Sequence, residues 1–116
     1  MIRFGPAGNG QAFYDAGYKS SLEAPEFLAR AGLNAYEYQC GRGVNIKADF
    51  CHKLAGVAAQ HDIALSIHAP YFINLATPEP KVQESSLNHI RKSLVAAQAM
   101  GAGRIVVHPG SVCKGN

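Results

Sequence analysis

Apolar residues recur along the chain at two periods, a strict alternation in short runs and a spacing of three or four in longer ones. The clearest alternating run is residues 63–68, where Leu65 and Ile67 share one face and Ala64, Ser66 and His68 share the other. Residues 104–108 repeat it, with Ile105 and Val107 on one face and Val106 and His108 on the opposite one. Residues 34–39 alternate Tyr36 and Tyr38 with Ala35, Glu37 and Gln39, and residues 2–5 form a shorter strand candidate.

Helical spacing fills the intervals. Ser20 or Ser21 caps a first helix, with Glu23 placed for a capping box and Gly32 as the stop. Ile46, Phe50, Leu54 and Val57 mark a second. A third enters at Thr77 and Pro78, carries the stripe Leu87, Ile90, Leu94 and Ala97, and ends at Gly101 and Gly103. A Gly-rich loop around Asn9 and Gly10 follows the first strand, and a polar tail follows residue 108.

The predicted order is βαβαβαβ in a single unit over residues 1–116, with four strands and three helices. That is an α/β fold with a parallel sheet and right-handed crossovers. Alternation alone does not separate an open doubly wound sheet from part of a barrel. A complete (β/α)8 barrel takes about 250 residues, so a chain of this length supplies about half of one.

Composition narrows the class without naming a partner. With 47% hydrophobic residues and both charge signs interspersed, the chain is neither disordered nor fibrous and can bury one modest core. A formal charge of +3 is compatible with a polyanionic partner but does not establish one. No apolar run is long enough for a signal peptide, and none approaches the roughly 18 residues that span a bilayer, so no membrane partner is expected. Cys40, Cys51 and Cys113 show no CxxC spacing and read as reduced thiols of a cytoplasmic protein.

The candidate chemistry lies at two strand ends. His68 and His108 each close an alternating run in the same phase, and each is soon followed by a proline, Pro70 or Pro109. Functional groups of βα proteins gather at the carboxyl ends of strands. Neighbouring strands lie about 4.8 Å apart, close enough for two imidazoles to converge on metal ions such as zinc, manganese or iron. The alternative is a pair of hydrogen-bonded histidines that only close strand ends.

Glu37 points inward from its strand, either to orient a metal ligand or to make a structural hydrogen bond. His52, His61 and His89 fall within helices, where surface or structural roles are expected. Gly8 to Gly10 and Gly41 to Gly43 each begin a GxGxxG match without its third glycine and read as turns. Spacing supports no Ser-His-Asp grouping, and the catalytic residues stay unassigned.

The segment HAPYFINLA, residues 68–76, followed by VVHPGS, residues 106–111, resembles the endonuclease IV family of DNA-repair enzymes. The resemblance implies a (β/α)8 barrel, of which this chain is the N-terminal half. It also implies up to three metal ions, usually zinc with manganese an alternative, and cleavage of DNA on the 5′ side of abasic sites. By match to the two motifs, His68 and His108 are metal ligands. Tyr71 matches an aromatic residue on a loop that enters the DNA, or else packs over the barrel mouth. Arg42 is a candidate for entering a groove.

Two departures bear on the DNA assignment more than on the metal. Residues 39–42 do not match the family's usual basic segment, and Val112 and Cys113 stand where many members carry a further histidine. The family's other ligands come from later strands, so the chain reads as a fragment that is inactive alone. A sugar isomerase or epimerase of the xylose-isomerase-like barrels is the competing enzyme reading. From another class comes a non-catalytic half-barrel that self-associates: an uncovered inner face with Ala64 and Val106, between unpaired strand edges, predicts a homo-oligomer.

Overall fold

A computed structural model describes residues 1–113. The last residues of the expected tail, and with them the end of the 1–116 unit, lie outside the described residues. The run that alternates most clearly becomes β2 (Ala64–His68). It is the middle strand of a parallel sheet ordered β1-β2-β3, with β1 (Ala35–Gln39) and β3 (Ile105–Val106) on either side. Helix α3 (Ala48–Gln60) connects β1 to β2, and α4 (Pro80–Met100) connects β2 to β3. This alternation of parallel strands and helices is the α/β arrangement that the periodicity predicts.

The first expected strand is corrected. Residues 2–5 form no ladder; one parallel bridge, Ala7 to Glu37, takes its place. Asn34 and Glu37 donate their backbone N–H groups to the carbonyls of Phe4 and Pro6, and Gly8 donates to Glu37. Pro6 has no N–H to return, and the Phe4 N–H goes to the Asn34 side chain at 2.7 Å, so regular pairing cannot build.

The loop after it holds a helix that the glycines conceal, α1 (Gln11–Asp15). Phe13 is 2% exposed there, stacked on Tyr18 and met edge-on by Phe27, and that aromatic contact holds the turn in place. Among the described residues, four α-helices therefore stand where three were expected.

The helix expected after Ser20 begins as a 3-10 turn (Ser21–Glu23) and continues as α2 (Ala24–Arg30). Ser20 Oγ accepts from the Leu22 N–H at 3.2 Å, while Glu23 reaches back to the Lys19 N–H. This reciprocal pair is the capping device predicted, displaced by one residue. Gly32, at φ +80°, ends the segment. The last strand is shorter than residues 104–108. Past Ala69, which donates to Val106, the chain turns at Pro70 and Tyr71 donates instead to Gly41. Strand β3 is left without a partner beyond that point.

The core lies between the sheet and its helices. Tyr36, Leu65 and Ile67 from the strands meet Leu54 and Ala58 of α3 and Ala97 and Met100 of α4. On α4 only Ala97 of the expected stripe is buried: Leu87 and Leu94 are 46% and 51% exposed, while Ser86, Ser93, Ala96 and Met100 join Ala97 inside. Ser93 Oγ donates to the His89 carbonyl, and Ser86 Oγ bonds the Asn74 backbone. With their hydroxyls satisfied, these small side chains lie inside at little cost. None of the helices among the described residues is long and apolar enough to cross a membrane.

Burial also sets a pH dependence. It pushes the Cys40 thiol up to about 11, with nearby Cys51 adding to the effect, and it raises Cys51, Tyr36 and Tyr38 in the same direction. A group raised on folding stays neutral while the unfolded chain ionises. Its contribution is therefore whole below the unfolded value near 9 and is lost as pH climbs toward 11. Cys40 alone is expected to withdraw about 2 kcal/mol of stability by pH 11. Urea midpoints measured from pH 7 to 10.5 should fall steeply above pH 9, and less steeply in Cys40→Ala; equal slopes would rule Cys40 out.

Candidate metal centre at the carboxyl edge of the sheet

The three strands end at one edge, and the singled-out residues gather there. His68 is the last residue of β2, paired in register with Gln39 on one side and Val106 on the other. His108 lies two positions past Val106, on the face that strand alternation assigns to both. The two rings meet with centroids 4.9 Å apart and planes tilted by 42°. His68 Nδ1 lies 2.8 Å from the Ala69 carbonyl oxygen. A carbonyl only accepts, so Nδ1 carries a proton, and in the neutral ring the lone pair then sits on Nε2. That is the tautomer a metal ligand needs.

As donors, the two imidazoles fit an ion such as zinc, which typically takes four. Among the described residues, no group of three or more His, Cys, Asp or Glu side chains assembles as a metal site. Glu37 lies on the same face of the sheet, one step below His68 in the register with Ser66. Its Oε1 accepts from Ser66 Oγ at 2.9 Å. Among the described residues, no hydrogen bond runs from Glu37 to either histidine.

Tyr71 and Arg42 lie on touching loops at the same edge. Tyr71 donates its backbone N–H to Gly41 at 3.3 Å, and a Cβ at Gly41 would come within 3.1 Å of the Tyr71 ring. A larger residue at 41 would push the exposed ring slightly aside. Tyr71 is 57% exposed and Arg42 is exposed, so both side chains reach solvent on the loops that follow β2 and β1. The other histidines stay apart: His52 lies in α3, His61 caps it, and His89 in α4 meets Phe72 edge-on at 5.0 Å.

Asn74 escapes sequence reasoning although it stands inside the first motif. Its Oδ1 accepts from the Ala76 N–H at 3.0 Å, a local turn that Asn forms readily, and its Nδ2 reaches Cys113 Sγ at 2.9 Å. The turn is a signal that a sequence carries; the contact with Cys113 is not.

Residues 25–116 match the family described as a xylose isomerase-like TIM barrel. A probable endonuclease 4 of Acholeplasma laidlawii is 30% identical over 109 residues, covering 88% of this chain and 36% of the relative. The crystal structure of endonuclease IV from Thermus thermophilus superposes with a TM-score of 0.63 at 26% identity, over 84% of this chain and 38% of that one. D-psicose 3-epimerase of Clostridium cellulolyticum superposes at 0.67 with 15% identity, over 78% and 32%. The chain thus spans just over a third of the length of the endonuclease relatives it matches. At 15% identity the epimerase likeness speaks for the fold alone.

Proposed function

Because the chain belongs to the xylose isomerase-like TIM-barrel family, we propose that it forms the N-terminal part of a metal-dependent, endonuclease IV-like phosphodiesterase that cleaves DNA on the 5′ side of abasic sites. The observation that carries this reading is the convergence of His68 and His108, 4.9 Å apart by centroid, with the lone pair of the neutral His68 ring on Nε2. The identity to endonuclease 4 proteins supports the nuclease over other chemistries on the same fold.

His68 and His108 would hold zinc, or manganese. A metal bound there supplies Lewis acidity toward the phosphoryl oxygen and lowers the pKa of a water molecule. The chain's own residues contribute at three further points in this reading. The Ala69 carbonyl fixes the His68 ring and its tautomer. In this reading Arg42 attracts the phosphate backbone, and Tyr71 offers an aromatic face for an unstacked base. Residues 1–116 act as one unit of a cytoplasmic enzyme in this reading.

A second reading, a sugar isomerase or epimerase, draws on the Glu37 and Ser66 pair, polar groups on the inner face suited to hydroxyl-rich ligands. One assay separates the two. The protein at the full length of its relatives is incubated with duplex DNA holding one abasic site and, in parallel, with ketoses. The expected result is a nick 5′ to the abasic site, abolished by chelation and restored by Zn2+ or Mn2+. Ketose epimerisation without nicking would replace the nuclease reading with the second.

A further inference from the structure

The loops that follow the two histidines, residues 69–79 and 109–113, are joined by the Asn74 side chain and by one backbone hydrogen bond beside it. Asn74 donates its backbone N–H to Ser86 Oγ at 2.9 Å, and the same hydroxyl donates to the Asn74 carbonyl at 3.3 Å. Ser86 is 1% exposed in α4, so this end of the connection is buried against the core. At the other end Asn74 Nδ2 donates to Cys113 Sγ at 2.9 Å, and the next residue, Leu75, donates its N–H to the Pro109 carbonyl at 2.7 Å.

The packing leaves no slack. Gly110 stands at φ +123°, and a Cβ there would overlap the Asn74 side chain and its Cα. Glycine is needed at 110 both for its backbone conformation and because Asn74 occupies the space. His108 lies one residue before Pro109, and His68 six before Asn74.

We propose that Asn74 is a positioning residue: held by Ser86 on α4, it ties the loop after His68 to the loop after His108 and so fixes the separation of the two imidazoles. Its bearing on metal binding rests on the metal reading above; the tie itself does not. The small inward face of α4 thereby gains a purpose, because a leucine at position 86 would offer the loop no hydrogen bond.

The test uses the whole chain, its Asn74→Ala and Ser86→Ala variants, and two readouts. The metal-free readout is amide exchange of Leu75 together with the NMR cross-peak between the His68 and His108 rings. Both variants are expected to lose the cross-peak and about tenfold of the Leu75 protection. The second readout is calorimetric titration with Zn2+, whose Kd should weaken about tenfold or more, as for other groups that orient metal ligands.

Variants that keep both the protection and the cross-peak within about twofold of the parent would overturn the proposal. Should Asn74→Ala fail to fold, Ser86→Ala decides, since alanine favours the helix and removes only the hydroxyl. A parent chain that binds no Zn2+ would count against the metal reading and leave the metal-free readout to judge Asn74.

Discussion

Replacing His68 or His108 with alanine is expected to cut abasic-site cleavage by the full-length protein at least about a hundredfold. The magnitude follows from a comparison: losing a group that merely orients a ligand typically costs about 10–100-fold in metal affinity or activity, so losing the ligand should cost more. Each substitution removes one of two rings that meet 4.9 Å apart, and the other cannot cover both coordination positions. Metal content of the purified variants should fall in parallel with activity.

His52→Ala is the matched control, since it removes an exposed imidazole carried by α3 rather than by a strand end. It should leave cleavage within about twofold, as expected of a surface substitution. Retained cleavage and retained metal in both strand-end variants would remove these histidines from the mechanism, whatever the family.

The second large effect concerns the core. Ile67 is fully buried in the middle strand, with Tyr38 beside it in register on β1 and Ile105 on β3. Ile67→Ala is expected to cost about 3–4 kcal/mol, from lost burial plus the cavity left in a sheet that cannot collapse around it. Against a total of about 5–15 kcal/mol, that brings the fold near its limit. Leu94→Ala is the contrast. Leu94 belongs to the more regular hydrophobic stripe but is 51% exposed, so its removal should cost less than about 1 kcal/mol. Denaturant midpoints of the two variants decide it. A larger loss for Leu94 than for Ile67 would mean that α4 turns its other face to the sheet.

That contrast marks where periodicity misleads. Leu87, Ile90, Leu94 and Ala97 make a convincing helical stripe, yet the helix buries Ser86 and Ser93. Hydrophobicity by itself cannot register that a serine hydroxyl will find the Asn74 backbone or the carbonyl one turn earlier. The same limit hid α1 among glycines, because Phe13 earns its place only through rings arriving from residues 18 and 27. It also made a strand of residues 2–5, where Pro6 and the Asn34 side chain interrupt the ladder.

What the sequence by itself determined is the part of the molecule governed by neighbours along one element. Alternation in residues 64–68 sends Leu65 and Ile67 to the helices and His68 to the opposite face, and Gly32 and Gly101 stop helices because their positive φ suits no other residue as well. It also placed His68 and His108 in the same phase at successive strand ends. The tertiary structure alone decided how far apart those rings stand, which side of α4 faces the sheet, and that Asn74 reaches Cys113, 39 residues away. The physical reason is range. A strand's alternation is set by backbone geometry within a few residues, whereas a ring separation or a hydrogen bond between loops is the sum of every packing contact that brings the two elements together.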